Sequence, residues 1–224
     1  MKQIYEGSQN MIDGPRLEPA SGGPARSLVI FLHGYGADGN DLIAIGRQWA
    51  GDLPDTAFVA PHAPEACSMA PVGRQWFHLT LRDPGEYARG VAAARPELDE
   101  FIDAEMARHG IDETGTALVG FSQGTMMALH AGLLRGKVFA GLLGYSGMLA
   151  DPDAIKAGPS QKPPILLIHG DLDEMIPVSA LFAASEGLNA ADIPAAWHIS
   201  KGIGHGIAPD GLELGVDFLK RVLM

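Results

Sequence analysis

The run Ala117-Leu118-Val119-Gly120-Phe121-Ser122-Gln123-Gly124-Thr125-Met126-Met127-Ala128-Leu129-His130 passes from a short apolar stretch, through Gly-x-Ser-x-Gly, into residues that favour a helix. An apolar run bounded by glycine reads as a buried strand, and the segment beyond Gly124 as the start of a helix. A serine between the two sits in a sharp turn with its hydroxyl exposed at the carboxyl end of the strand. Glycines two residues before and two after leave room for that turn to pack closely. The N–H groups of the helix that follows point toward any negative charge forming nearby. These are the needs of a nucleophile, so Ser122 is the candidate. The pentapeptide alone is weak evidence in a chain with 29 glycines among 224 residues. Its surroundings decide the reading.

Outward from this turn, short apolar runs recur at 28–32, 57–60, 138–143, 165–168 and 195–199, and 117–119 joins them as a sixth candidate core strand. Longer amphipathic stretches at 41–50, 87–109, 123–134, 179–188 and 212–223 alternate with them, and Pro96 is expected to split or kink the second. Strands alternating with helices imply an α/β domain with a mostly parallel sheet covered by helices on both faces. Residues 1–26 are expected to add an N-terminal hairpin or edge strand. Residues 63–84 read as an ordered excursion over one face. No repeat or linker marks a second domain, so residues 1–224 read as one.

Three further stretches supply partners for Ser122. Leu32-His33-Gly34-Tyr35-Gly36-Ala37-Asp38 follows the first core strand, where the backbone N–H of Tyr35 would complete an oxyanion hole with that of Gln123. His33 reads as a structural imidazole bracing this loop, and Asp38 or Asn40 as a helix cap. His169-Gly170-Asp171-Leu172-Asp173 places two acids at a strand end. Asp171 lies closer to the strand and suits a turn brace, so Asp173 is the better partner for a histidine. Asp151 and Asp153 read as solvated loop charges. Gly204-His205-Gly206 puts a histidine on a glycine-flanked loop after the acid, whereas His198 and His130 fall inside core elements. The order Ser122, Asp173, His205 is that of α/β-hydrolases.

The landmarks Leu32-His33-Gly34-Tyr35-Gly36-Ala37-Asp38, Pro61-x-Ala63-Pro64, Trp76-Phe77, Gly120-Phe121-Ser122-Gln123-Gly124, His169-Gly170-Asp171-x-Asp173-x-x-Ile176-Pro177 and Gly204-His205-Gly206 together resemble the phospholipase/carboxylesterase group. That group includes small bacterial carboxylesterases and acyl-protein thioesterases. The resemblance implies an α/β-hydrolase fold without a large cap domain, a catalytic triad of Ser122, Asp173 and His205, an oxyanion hole from the Tyr35 and Gln123 amides, and no cofactor or metal. It implies hydrolysis of small carboxylic esters through an acyl-enzyme, with a lysophospholipase or acyl-protein thioesterase as the alternative. Thr125 stands where the group often has a second glycine, and His78 where Asp commonly follows the Trp-Phe pair. Trp76, Phe77 and Met148 are candidates for the substrate pocket. The same residues, with Met69, would otherwise be local core or a homodimer interface.

Composition narrows the partners. A net charge of −11 without a basic cluster argues against nucleic acid and anionic lipid surfaces. The single cysteine, Cys67, forms no internal disulfide. The first residues lack the pattern of a signal peptide, and no apolar run approaches the ~20 residues that span a bilayer. A cytoplasmic protein without stable membrane insertion is expected. The competing class is a non-catalytic ligand-binding protein on a hydrolase scaffold, whose sign would be a missing triad member.

Overall fold

A computed structural model of the chain describes residues 12–67, 70–80, 82–83, 85–158 and 161–224. The N-terminal half runs β1 (Arg16–Leu17), β2 (Ser27–Leu32), α1 (Gly39–Trp49), β3 (Thr56–Val59), β4 (Glu65–Ala66), β5 (Arg74–Gln75) and α2 (Glu86–His109). There follow β6 (Thr116–Phe121), α3 (Gln123–Leu134), β7 (Gly141–Tyr145), α4 (Pro152–Ala157), β8 (Ile165–Gly170), α5 (Ser179–Asn189), β9 (Ala196–Ser200) and α6 (Pro209–Leu223). Seven of the strands form one sheet in the order β1-β3-β2-β6-β7-β8-β9. All neighbours in it are parallel except the edge pair of β1 and β3. The small strands β4 and β5 pair separately as an antiparallel ribbon inside the excursion.

Parallel strands inside a sheet are buried on both faces, which is why β2, β6, β7 and β8 are apolar along most of their length. Alternation along β2 shows the two sides. Leu28, Ile30 and Leu32 belong to one buried cluster with Leu98 and Phe101 of α2, Met127 of α3 and Leu188 of α5. Val29 and Phe31 belong to a second cluster, with Ile43 and Trp49 of α1 and Phe218 and Leu219 of α6. Full burial of each such side chain contributes roughly 1.5–3 kcal/mol, so a polar residue at any of these positions would be costly.

The elements differ from the sequence expectation in a few places. Pro96 neither splits nor ends α2, because Pro96 and Ala92 both lie on the exposed face, where water can reach the Ala92 carbonyl that loses its bond. The strand expected from residue 138 begins at Gly141, because the Ala140 N–H is given to the Glu113 and Thr116 carbonyls (2.9 Å each). Helix α4, where the sequence predicts a loop, is capped by the Asp151 carboxylate on the Ala154 N–H (3.1 Å), with Pro152 in its first turn.

The chain leaves β2 toward β3 on one side and returns through β6 to β9 on the other. The topological switch point thus lies between the adjacent strands β2 and β6, and it is outside the carboxyl ends of strands at such a point that open α/β sheets bind ligands. The loops that carry Tyr35, Ser122, Asp173 and His205 all follow strands of this parallel set and share that edge.

Candidate active site

Ser122 occupies the turn between β6 and α3 with φ 54° and ψ −117°, a conformation that non-glycine residues hold only where the surroundings impose it. The packing of the turn shows what imposes it. A methyl group on Gly124 would stand 1.8 Å from the Leu32 carbonyl oxygen, and one on Gly120 would stand 2.4 Å from that of Gly124. Only glycine fits at either place, so the elbow is pressed onto the end of β2. Gly34 faces it, with its pro-side-chain position 3.2 Å from the Ser122 Cβ.

Gln123 is the first residue of α3, so its own N–H has no acceptor within the helix. Its side chain is buried and fixed at both ends: Oε1 accepts from the Trp76 backbone N–H (2.9 Å) and Nε2 donates to the Phe77 carbonyl (2.8 Å). The Trp76 indole N–H in turn donates to the His33 carbonyl (3.0 Å). Trp76 thereby ties the elbow to the loop that carries Tyr35. Trp76 and Phe77 are 1% and 4% exposed, so their rings belong to the packing beneath the site. Half-buried Met148 borders a small apolar void together with Thr125, Leu129, Leu181 and Ala184. Met69 lies outside the described residues.

His33 is fully buried. Its Nε2 accepts from the Ala63 N–H (2.9 Å), which leaves Nδ1 to donate to the Gly34 carbonyl (2.8 Å). Burial pushes the imidazole down to about 4 from the usual 6.5. The folded protein therefore keeps it neutral over a range where the unfolded chain binds a proton, and stability must fall as pH drops from the unfolded value toward the folded one. The loss amounts to about 3 kcal/mol once pH 4 is reached. His130, lowered by burial in the same direction, adds to it. The lowered carboxylates Asp13, Asp83, Asp112 and Asp210 start from 3.8 and act below this window. Urea midpoints should accordingly decline between about pH 7 and pH 4.5, and less steeply in His33→Gln; a flat midpoint in the native chain would contradict the assignment.

The acidic loop after β8 separates the two aspartates clearly. Asp171 Oδ1 accepts from the Gly202 N–H (2.6 Å) and braces the loop after β9. Asp173 is buried, and its Oδ1 accepts from the N–H groups of Met175 and Ile176 (2.9 Å each). Its Oδ2 lies 2.8 Å from His205 Nδ1 and 3.3 Å from His169 Nε2. The same His169 nitrogen lies 2.8 Å from the Ile176 carbonyl oxygen, so it must carry a proton to serve either oxygen. Two N–H groups on one carboxylate oxygen leave the other to accept the hydrogen bond of His205 Nδ1–H, which keeps the lone pair on His205 Nε2. The His205 ring tilts against that of Phe121, next to Ser122, with centroids 5.0 Å apart.

Two further histidines have structural partners. His198 bonds Asp210 (2.9 Å) and His62 accepts from the Gly39 N–H (3.1 Å). The sequence offers His169 only as part of a motif and Gln123 only as a backbone donor, whereas in the structure the His169 ring meets Asp173 and the Ile176 carbonyl, and the Gln123 side chain bonds Trp76 and Phe77. No signal along the chain announces either contact. Among the described residues, no group of three His, Cys, Asp or Glu is placed to hold a metal ion, and no helix is long and apolar enough to cross a membrane.

The family model described as phospholipase/carboxylesterase matches residues 19–223. The chain belongs to this family. The crystal structure of esterase PE8 shares 44% of its sequence with the chain and superposes with a TM-score of 0.91 over 95% of this chain and 99% of that one. Esterase YpfH of Escherichia coli (strain K12) is 29% identical over 201 residues, covering 89% of this chain and 84% of that protein. Acyl-protein thioesterase 1 of Schizosaccharomyces pombe (strain 972 / ATCC 24843) is 33% identical over 167 residues, 71% and 73% of the two chains. Membership in the phospholipase/carboxylesterase family supports ester-hydrolase activity. The mostly parallel sheet with helices is the α/β-hydrolase fold, and no large cap interrupts it among the described residues.

Proposed function

We propose that the chain is a serine carboxylesterase in which Ser122, Asp173 and His205 form the catalytic triad. The observation that carries this reading is the 2.8 Å contact between His205 Nδ1 and Asp173 Oδ2, made at the edge of the sheet where Ser122 sits in its strained turn. His205 Nε2 takes the Ser122 proton as the hydroxyl oxygen attacks the ester carbonyl carbon. The N–H groups of Tyr35 and Gln123 receive the oxyanion, and Asp173 stabilises the imidazolium. The imidazolium returns its proton to the leaving alcohol, and water then repeats the sequence on the acyl-enzyme. Residues 1–224 act as one domain, a reading supported by the single large sheet that begins at Arg16 and the helix that ends at Leu223.

Similarity to a protein named acyl-protein thioesterase 1 supports thioesters as a second substrate class, which the same acyl-enzyme would serve. A fluorophosphonate probe followed by peptide mapping tests the core of the proposal. Modification is expected at Ser122, with loss of p-nitrophenyl ester hydrolysis in proportion to labelling. Full hydrolysis by protein that takes up no probe, or labelling at another serine, would refute it. A panel of esters and thioesters of increasing acyl length then separates the two substrate classes.

A further inference from the structure

Three residues at the carboxyl end of β7 touch every segment that carries a triad candidate. The Tyr145 carbonyl accepts from the Ser122 N–H (2.9 Å) and from the Thr125 hydroxyl (2.8 Å), both in the elbow. The Ser146 N–H donates to the Ile168 carbonyl (2.9 Å), on the strand that leads to Asp173. The Ser146 hydroxyl donates to the carbonyl of Gly206 (3.2 Å), the residue after His205. Gly147 closes on the elbow: a methyl group there would stand 2.3 Å from the Thr125 Cβ and 3.0 Å from the Ser122 carbonyl oxygen. Nucleophile, acid strand and base loop thus meet at one short turn.

Ser146 is the residue of this turn that is hardest to account for by folding alone. It is 1% exposed and holds φ at 45°, in the left-handed region where glycine would sit without strain. What serine adds over glycine is the hydroxyl, and the hydroxyl bonds the Gly206 carbonyl. The other flank of the same loop is tied by the Leu172 N–H to the Ile203 carbonyl (2.9 Å) and by the Gly202 N–H to Asp171 (2.6 Å). His205 therefore stands between two anchors, of which Ser146 is the one connected directly to the elbow. The Thr125 hydroxyl, in the place where the family often has glycine, reinforces that connection through the Tyr145 carbonyl.

We propose that Ser146 is a positioning residue for the triad: its hydroxyl holds the His205 loop at the spacing from Ser122 that proton transfer requires, and its strained backbone is retained for that contact. The inference rests on the triad reading. It is tested with a pair of variants whose effects on the fold differ. Ser146→Gly removes the strain and the hydroxyl together, so its melting temperature should stay close to that of the native chain. Ser146→Ala keeps the strain and loses the bond, so it should melt lower. Both should nevertheless lose about ten- to hundredfold in kcat with KM nearly unchanged, because a misplacement of about 1 Å is enough for such a loss. The low-field proton resonance of the His205–Asp173 hydrogen bond should broaden or move in both. A residue that only supported the fold would give activity that follows stability, so native kcat in Ser146→Gly would overturn the proposal, as would a kcat loss confined to Ser146→Ala. Fluorophosphonate labelling of the native chain separates the two levels. If Ser122 is labelled and Ser146→Gly turns over normally, only the positioning role fails; if Ser122 is not labelled, the triad reading fails and takes this inference with it.

Discussion

Ser122→Ala is expected to lower kcat for a p-nitrophenyl ester by at least about 10⁴-fold, while the chain remains folded. The size of the effect follows from what the substitution removes. Without the hydroxyl no acyl-enzyme forms, and His205 can assist only a water molecule that nothing holds in line with the carbonyl. What remains is the oxyanion hole and substrate binding, which sustain a residual rate of roughly 10³ over water in triad enzymes. Stability should change little, since the Cβ that packs against Gly34 is kept and the backbone strain at φ 54° is the same for alanine as for serine. A change within about 1 kcal/mol, or 2–4 °C in Tm for a chain of this size, is the expectation from thermal melting. Hydrolysis by Ser122→Ala at the native rate would leave the constellation without a catalytic role.

The fold was readable in outline because parallel strands must be apolar on both faces. The run at 28–32 has no other comfortable place in a soluble protein, and in the structure it lies between two helix layers. The elbow was readable for a similar reason. Gly120 and Gly124 are required by backbone contacts under 2.5 Å, and a requirement that strict leaves a mark in the sequence. The carboxylate partner of His205 was readable because distance from the strand end separates Asp171 from Asp173. What escaped has a common cause. Trp76 reads as a pocket, core or interface aromatic, yet its indole N–H and backbone N–H join His33 to Gln123 across 43 and 47 residues. Nothing in the sequence singles out Ser146, yet its hydroxyl reaches a carbonyl 60 residues away. Such contacts depend on how loops from different strands face one another, and no periodicity or spacing encodes that. Helix α4 escaped for a smaller reason: Asp151-Pro152 is as good a helix start as it is a loop, and only the bond from the Ala154 N–H distinguishes them.

Asp173→Asn is expected to lower kcat by about 10⁴-fold with KM little changed, and the hydrogen bonds around the carboxylate say why. Oδ1 accepts from two backbone N–H groups, of Met175 and Ile176, at 2.9 Å each. An amide NH₂ cannot accept from them, so the asparagine must keep its oxygen there and turn its NH₂ to the place where Oδ2 meets His205 Nδ1. Two donors would then face each other. His205 escapes the clash by moving its proton from Nδ1 to Nε2, and with Nε2 occupied it has no lone pair to take the Ser122 proton. His169 cannot relieve this, because its Nε2 is also a donor, engaged with the Ile176 carbonyl. Asp171→Asn serves as the comparison: its Oδ1 accepts a single N–H, from Gly202, a task the amide oxygen performs equally well, and its kcat should remain within a few-fold of the native chain. The rate of fluorophosphonate labelling should fall with kcat in Asp173→Asn and hold in Asp171→Asn. Equal losses in the two variants would mean that the loop as a whole, and not the Asp173 carboxylate, sustains the activity.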